Sequence, residues 1–259
     1  MSGKVPSEPT LRVALVPGLV EPDPEGVCAV VDVIRASTTL IALADAGDPE
    51  VWIASDYHRA RSAAAGMGPD VLLGGEEGGL MPQGFDFGNS PHEVSCESYA
   101  GRRVVFATTN GTHALRHWSV AWRTYVAALR NIGAVTARLM EAAAEGRSMT
   151  LVCAGRGGGV ALDDVYTVGA IIHRILKCEP DTQLDDAAMV AVRVARTGSE
   201  VLGFLTATES AKALNRVGLA ADIPFCAAMD ASNAVPELGG NGRIRLIQGD
   251  HVPSGMCGH

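Results

Sequence analysis

The chain has 259 residues, 47% of them hydrophobic, and a formal net charge of −8. So much apolar material supports a buried core and excludes a disordered polypeptide. Without a stripe of Lys or Arg, the acidic balance speaks against nucleic-acid binding, and no apolar run reaches the length of a signal peptide or membrane span.

In chain order, residues 1–10 read as a flexible tail. "VCAVVDVI" (27–34) is a continuous β-branched run, the pattern of a strand buried on both faces. "STTLIALADAG" after it is helical, with Ser37 or Thr38 as N-cap. "EVWIAS" is a strand, "DYHRARSAAAG" a helix and "DVLLGG" a strand. "GFDFGNSPHEV" (84–94) interrupts every apolar residue with turn formers and reads as a rigid polar loop. "RRVVFATT" (102–109) is a buried strand, "HALRHW" a helix, "WRTYVAAL" a strand and "GAVTARLMEAAAEG" a helix. "SMTLVCAG" (148–155) leads through a glycine-rich turn into the helix "LDDVYTVGAIIHRIL". Two helical segments, 185–197 and 199–217, precede short strands at "DIPFCAAM" and "RIRLIQ", and 251–259 form a second flexible tail.

This alternation predicts one α/β domain over 11–250, a three-layer α/β/α fold with a largely parallel or mixed central sheet. The six cysteines are scattered without a C-x-x-C pair, as expected of reduced thiols in a cytoplasmic protein. His113 and His117 are four apart but lack the glutamate of a zinc-binding H-E-x-x-H helix.

The three strongest strands run into "DVIRASTT", "TTNGT" and "AGRGGG", polar and rich in small residues. Ligands of open parallel sheets sit beyond the carboxyl ends of strands, where helix N-termini offer free N–H groups to anions. Asp32 lies in a strand of valines and isoleucines, where an unpaired carboxylate is costly. It is either an anchor for the following helix or a metal ligand or base. Arg35 either pairs with Asp32 or grips a phosphate with its planar fork. Glu76 sits between glycine pairs in "GGEEGG", while Asp163 and Asp164 open a helix, where carboxylates are ordinary dipole partners. Asp32, Glu76, Asp86, Asp163 and Asp164 together form a set of hard oxygen donors suited to Mg²⁺. "AGRGGG" lacks the G-K-[ST] of a phosphate-binding P-loop, and Asp32 lacks the second acid of a D-x-D phosphatase, position 34 being isoleucine.

Taken in order, "VVDVIRASTT", "GGEEGG", "GFDFGNSP", "TTNGT" and "AGRGGGVALDD" resemble the 2-phosphosulfolactate phosphatase family. The resemblance implies an α/β/α fold distinct from the dehalogenase-type phosphatases. It also implies a Mg²⁺-dependent hydrolase that removes phosphate from 2-phospho-3-sulfolactate on the route to coenzyme M. On the matching positions, Asp32, Glu76, Asp163 and Asp164 become candidate metal ligands. Asp32, Arg35, Asp86 and Asp164 become candidate catalytic residues, with Asp164 or Asp86 orienting the attacking water. Arg35, Thr38, Thr39, Thr109, Asn110, Gly111 and Thr112 become candidates for holding a small anionic phosphorylated substrate. "GFDFGNSP" becomes an active-site wall presenting Asp86, Asn89 and Ser90. Where the family motif reads G-E-R-G-G, this chain has Glu77 in place of the arginine. Either Arg156 supplies the missing charge, or the substrate lacks the sulfonate. A metabolite-binding protein without turnover is the alternative reading, and a homodimer is left open.

Overall fold

The computed structural model describes residues 10–197 and 200–248. Apart from Thr10, which opens the first strand, the two expected tails lie outside the described residues. The elements run β1 (Thr10–Ala14), β2 (Val27–Val31), α1 (Ala36–Asp45), β3 (Glu50–Ala54), α2 (Tyr57–Met67), β4 (Val71–Gly75) and α3 (Pro91–Val94). They continue with β5 (Arg103–Ala107), α4 (Gly111–His117), β6 (Arg123–Ala127), α5 (Ile132–Ala144), β7 (Met149–Cys153) and α6 (Leu162–Cys178). The last are β8 (Gln183–Leu184), α7 (Asp186–Thr197), α8 (Val201–Thr206), α9 (Glu209–Arg216), α10 (Asp222–Ala227), β9 (Ala234–Leu238) and β10 (Arg243–Gln248).

All ten strands among the described residues join one sheet in the order β4-β5-β3-β10-β9-β6-β2-β7-β1-β8. The sheet is mixed. β4-β5-β3 form one parallel block and β6-β2-β7-β1-β8 another, and the antiparallel hairpin β9-β10 bridges them. Three successive antiparallel pairings separate the blocks, so they run in opposite senses along the sheet. Only two residue pairs join β10 to β3 and two join β9 to β6, against five along the hairpin's own seam. These short junctions leave the sheet free to twist at the bridge.

Strand periodicity divides the core between the two faces. On β2, Val27, Ala29 and Val31 pack with Val135, Leu139, Val168 and Ile172 of α5 and α6. Cys28 and Val30 face the opposite way, onto Leu40 and Leu43 of α1 and Leu115 of α4. Both faces of β2 are therefore covered, as its uninterrupted β-branched run predicts. On β5, Val104 and Phe106 join the second cluster, while Val105 and Ala107 meet Ala60 and Ala64 of α2.

Several local expectations are corrected. "DIPFCAAM" is the short helix α10, because Pro224 falls in the first turn, where its missing N–H leaves no bond unmade. Residues 199–217 hold two helices, and the Thr208 hydroxyl caps the second by accepting from Ala211 N–H at 3.3 Å. α1 starts at Ala36, so Ser37 and Thr38 lie inside its first turn. β1, β8 and β9 were not anticipated; β8 has only two residues and β9 contains Pro236. That proline is tolerated because β9 pairs with β6 only at Glu237 and Leu238.

"GFDFGNSP" is explained by the sheet edge beside it. β4 ends the strand order, and an uncovered edge strand is a template for unwanted pairing. The loop runs along that edge. Asp86 N–H donates to Leu73 O at 2.8 Å, Gly75 N–H to Phe87 O at 3.2 Å, and Leu73 N–H to Asp86 Oδ2 at 2.7 Å. The Phe87 ring fills the space a Cβ at Gly74 would need, 2.1 Å away, and packs edge-on against Tyr99 at 5.2 Å.

Candidate active site

The loops after β2, β4, β5 and β7 converge with α9 on a pocket of about 390 Å³. Its polar lining includes Asp32, Arg35, Glu76, Asn89, Thr109, Asn110, Arg156, Asp163 and Asp164. A cavity thus forms beyond strand carboxyl ends, with strands from both blocks of the sheet contributing to it.

Asp32 follows β2 directly. Its Oδ1 accepts from Ala36 N–H at 3.3 Å and its backbone carbonyl from Ser37 N–H at 2.9 Å, so it anchors α1 while lining the pocket. The opening of α4 presses against it from the other side. A Cβ on Gly111 would stand 2.7 Å from Asp32 Oδ2 and 2.5 Å from Ala36 Cβ, so only glycine fits there. Gly111 shapes the site by its lack of a side chain.

Asp164 is fully engaged. Oδ1 accepts from Val33 N–H and Oδ2 from Gly155 N–H, both at 3.0 Å, which ties the loop after β2 to the loop after β7. Asp163, its neighbour, accepts from the Ser210 hydroxyl at 2.8 Å and so draws α9 onto the site. Glu76 performs a similar task on the other block. It accepts from Thr109 N–H at 2.7 Å, the Thr109 hydroxyl at 3.2 Å and Gly79 N–H at 2.6 Å. Asn110 Oδ1 then accepts from Gly157 N–H at 3.2 Å and closes the ring of loops.

Arg35 does not pair with Asp32. Its Nη1 donates to Asp222 Oδ2 at 2.9 Å and its Nη2 to Gly79 O at 2.8 Å, and both charged side chains are almost wholly buried. Asp222 Oδ1 accepts a hydrogen bond from the Ser90 hydroxyl at 2.6 Å. One carboxylate thus fixes α1, the loop at Gly79 and the end of "GFDFGNSP" together.

Six of the expected site residues lie outside the pocket lining, Gly111 with the contacts given above and five others. Thr38 and Thr39 are fully buried and donate to main-chain carbonyls, Thr38 to Val33 O at 2.7 Å and Thr39 to Asn89 O at 3.2 Å. Thr112 is equally buried and bonds Thr108 O at 2.9 Å. Hydroxyls near a helix start often close such local bonds, which sequence cannot separate from anion binding. Ser90 caps α3 and serves Asp222. Asp86 is exposed on the β4 edge and lines a separate cavity with His92 and Glu93, so it orients no water in this pocket. Glu77 is exposed too and lies outside the lining, its backbone forming a tight turn with Leu80, whereas Arg156 lines the pocket.

Ser210 and Asp222 belong to the site and were missed, together with the apolar wall of Ile34, Ala161, Leu214 and Val217. The signal for Asp222 was an acidic residue opening an apolar segment. Cys153 is no nucleophile: it is buried, and burial together with Asp164 and Asp163 pushes its thiol well above the usual range. Cys28 and Cys226 are likewise buried free thiols and Cys96 an exposed one, while Cys178 is disulfide-bonded, against expectation.

The carboxylates crowd one another. Burial, then the charges of Glu76 and Asp163, push Asp32 up to about 7. Burial raises Asp163 to about 6, and Asp164 rises well above the ordinary carboxylate range through burial and the charges of Asp163 and Asp32. A carboxyl raised in the folded state keeps its proton longer than in the unfolded chain. Its stabilising effect is complete below the unfolded value of 3.8 and is lost as pH rises through the folded value. The metal-free protein is therefore expected to melt at a lower temperature at pH 8 than at pH 5.5. His173, lowered by burial, works in the opposite sense but is one group against three. Thermal melts in EDTA across this range check the prediction; a melting temperature that rises toward pH 8 defeats it.

No group of three or more His, Cys, Asp or Glu side chains among the described residues is arranged to hold a metal ion by itself. Mg²⁺ does not need one, since it commonly uses one or two carboxylates and fills its remaining positions with water and substrate phosphate. Glu76 and Asp164 give both oxygens to N–H groups, whereas Asp32 commits only Oδ1. The buried, mutually repelling carboxylates fit a hard cation, with Asp32 and Asp163, each accepting through Oδ1 alone, the least committed donors.

A family model described as 2-phosphosulpholactate phosphatase matches residues 15–241. A probable 2-phosphosulfolactate phosphatase of Thermus thermophilus is 42% identical over 240 residues, 92% of this chain and 98% of the relative. One from Deinococcus radiodurans is 40% identical over 246 residues, 95% and 96% of the two chains, and one from Gloeobacter violaceus 34% over 230 residues, 87% and 94%. Among the described residues, no helix is long and apolar enough to cross a membrane.

Proposed function

Because the chain belongs to the 2-phosphosulfolactate phosphatase family, we propose that it hydrolyses a small phosphate monoester, 2-phospho-3-sulfolactate by the family's name, in the pocket ringed by Asp32, Glu76, Asp163 and Asp164. The observation that carries this reading is the convergence of four strand-end loops on one acidic, partly buried pocket. Phosphate-ester hydrolysis asks the protein chiefly for positioning and charge neutralisation.

The pocket is acidic and its substrate anionic, so a cation must stand between them. Asp32 is the first candidate to hold Mg²⁺, with Asp163 beside it, and the ion would neutralise charge on the transferring phosphoryl group. Asp164 and Glu76 hold the loops in place through N–H groups. Arg35 has two edges committed to Asp222 and Gly79, which fixes its plane and leaves N–H groups for a phosphate oxygen. Arg156 supplies the charge for a second anionic group. This supports retention of the sulfonate despite Glu77, whose side chain is not in the lining. Ile34, Leu214 and Val217 offer an apolar wall to the short carbon chain.

The test is phosphate release by the purified protein from 2-phosphosulfolactate and from sulfonate-free phospholactate, with Mg²⁺ or with EDTA. Turnover with Mg²⁺, loss in EDTA and preference for the sulfonated ester are expected. Binding without phosphate release, measured by calorimetry, would instead identify a metabolite-binding protein.

A further inference from the structure

The pocket contains a buried acceptor with nothing to accept. Asn89 is 5% exposed and lines the pocket, and its Oδ1 has no hydrogen-bond partner among the described residues. Buried polar groups are rarely left so, and an exception at a pocket calls for a ligand. The amide cannot readily relax away from its place. The Asn89 carbonyl accepts from the Thr39 hydroxyl at 3.2 Å, and the next residue, Ser90, is held by Asp222 at 2.6 Å. Asp222 is itself fixed by Arg35 at 2.9 Å. Three buried side chains thus hold the backbone that aims this amide.

An amide oxygen can take a hydrogen bond or, as a hard oxygen, a cation such as the Mg²⁺ proposed above, and the kinetics below separate the two. The neighbouring carboxylates are acceptors when ionised, and no N–H or O–H of the described residues, the remaining N–H groups of Arg35 included, reaches it. An ionised phosphate monoester of a sulfonated hydroxy acid carries only acceptor oxygens. Of the two reactants in hydrolysis, water alone has a proton to offer.

We infer that Asn89 is a catalytic residue that orients the attacking water through Oδ1. The assignment rests on the hydrolytic reading above and adds a role to it. A lone pair of the water oxygen forms the new P–O bond, and the ester P–O bond breaks with its electron pair on the alcohol oxygen. One water proton stays on the transferred group, directed at Asn89. The other passes to a pocket carboxylate and is returned to the alcohol oxygen, so that ester dianion and water give alcohol and hydrogen phosphate. An amide carbonyl that orients water in this way serves the transition state more than the bound substrate, so its loss falls on kcat.

The experiment is steady-state phosphate release by Asn89→Ala with Mg²⁺ and 2-phosphosulfolactate, beside the wild-type protein and with circular dichroism on both. A fall in kcat of about 10²-fold with KM held within about twofold is expected. Asn89→Ser adds neither volume nor charge and reports the same split if the alanine variant does not fold. A raised KM with wild-type kcat would make Asn89 a substrate-binding residue, and recovery of kcat at higher Mg²⁺ would make it a metal ligand; either overturns the assignment, as would unchanged kinetics. A wild-type protein that releases no phosphate overturns the hydrolytic reading and this role with it; wild-type turnover with an unaffected variant overturns the role alone.

Discussion

Asp32→Asn is expected to lower kcat for phosphate release at least about 100-fold, the upper range for losing even an outer partner of a metal ligand, while making the metal-free protein more stable at pH 8. The two effects have one origin. Asp32 is buried beside Glu76 and Asp163, and its raised value of about 7 reflects a charge the folded protein holds reluctantly. The amide keeps the shape and an oxygen for the Ala36 N–H, so the anchor of α1 survives, but the charge that would meet Mg²⁺ is gone. Kinetics with saturating Mg²⁺ and melts in EDTA read the two effects separately. Near-parental turnover would remove Asp32 from the metal site. A lower melting temperature at pH 8 would show that its helix anchor outweighs its repulsion.

Asp222→Ala is expected to destabilise the fold by about 3–5 kcal/mol, the usual effect of removing one partner from a buried ion pair. Arg35 would keep Gly79 O but lose the only carboxylate that it contacts in the described structure, and its side chain is 3% exposed. The Ser90 hydroxyl would lose its acceptor at the same time. Replacing both charges, as in Arg35→Met with Asp222→Leu, should destabilise less than Asp222→Ala alone, since no orphan charge remains. Urea unfolding of both variants beside the wild-type protein decides the matter. A loss below about 1 kcal/mol for Asp222→Ala would mean that water reaches Arg35 and the clamp is weak.

The parts of this molecule legible in its sequence are those governed by local pattern. The β-branched run at 27–34 announced a doubly covered strand, and "TTNGT" and "AGRGGG" announced strand-end loops that do meet in the pocket. Asp32, Glu76, Asp163 and Asp164 were recognisable as acidic residues where carboxylates are costly or placed beside glycines. Their division of labour was not, because it depends on which N–H groups arrive from 30 to 130 residues away, such as Val33 at Asp164 and Thr109 at Glu76. Thr38, Thr39 and Thr112 misled because a hydroxyl beside a helix start satisfies a main-chain carbonyl as readily as a phosphate. Asp222 was obscured by a helix that reads as a strand, and its partners at Arg35 and Ser90 lie more than 130 positions earlier.

The bridging hairpin also bears on how the chain is made. β9 and β10 are the last described strands to leave the ribosome, yet they occupy the middle of the sheet. Until they arrive, β3 and β6 each present an open edge. Between Ala127 and Gln248 lie about 120 residues, roughly 6–24 s of synthesis at ~5–20 residues per second. Once β8 is made at Leu184, the nascent chain carries two half-sheets with unpaired backbone, the geometry most prone to adhere to other chains. Docking of the hairpin then joins pieces separated by long stretches of sequence, a slow step by contact order. Because the pocket draws its loops from both half-sheets, translation must reach the hairpin before the two sides of the site can be held together.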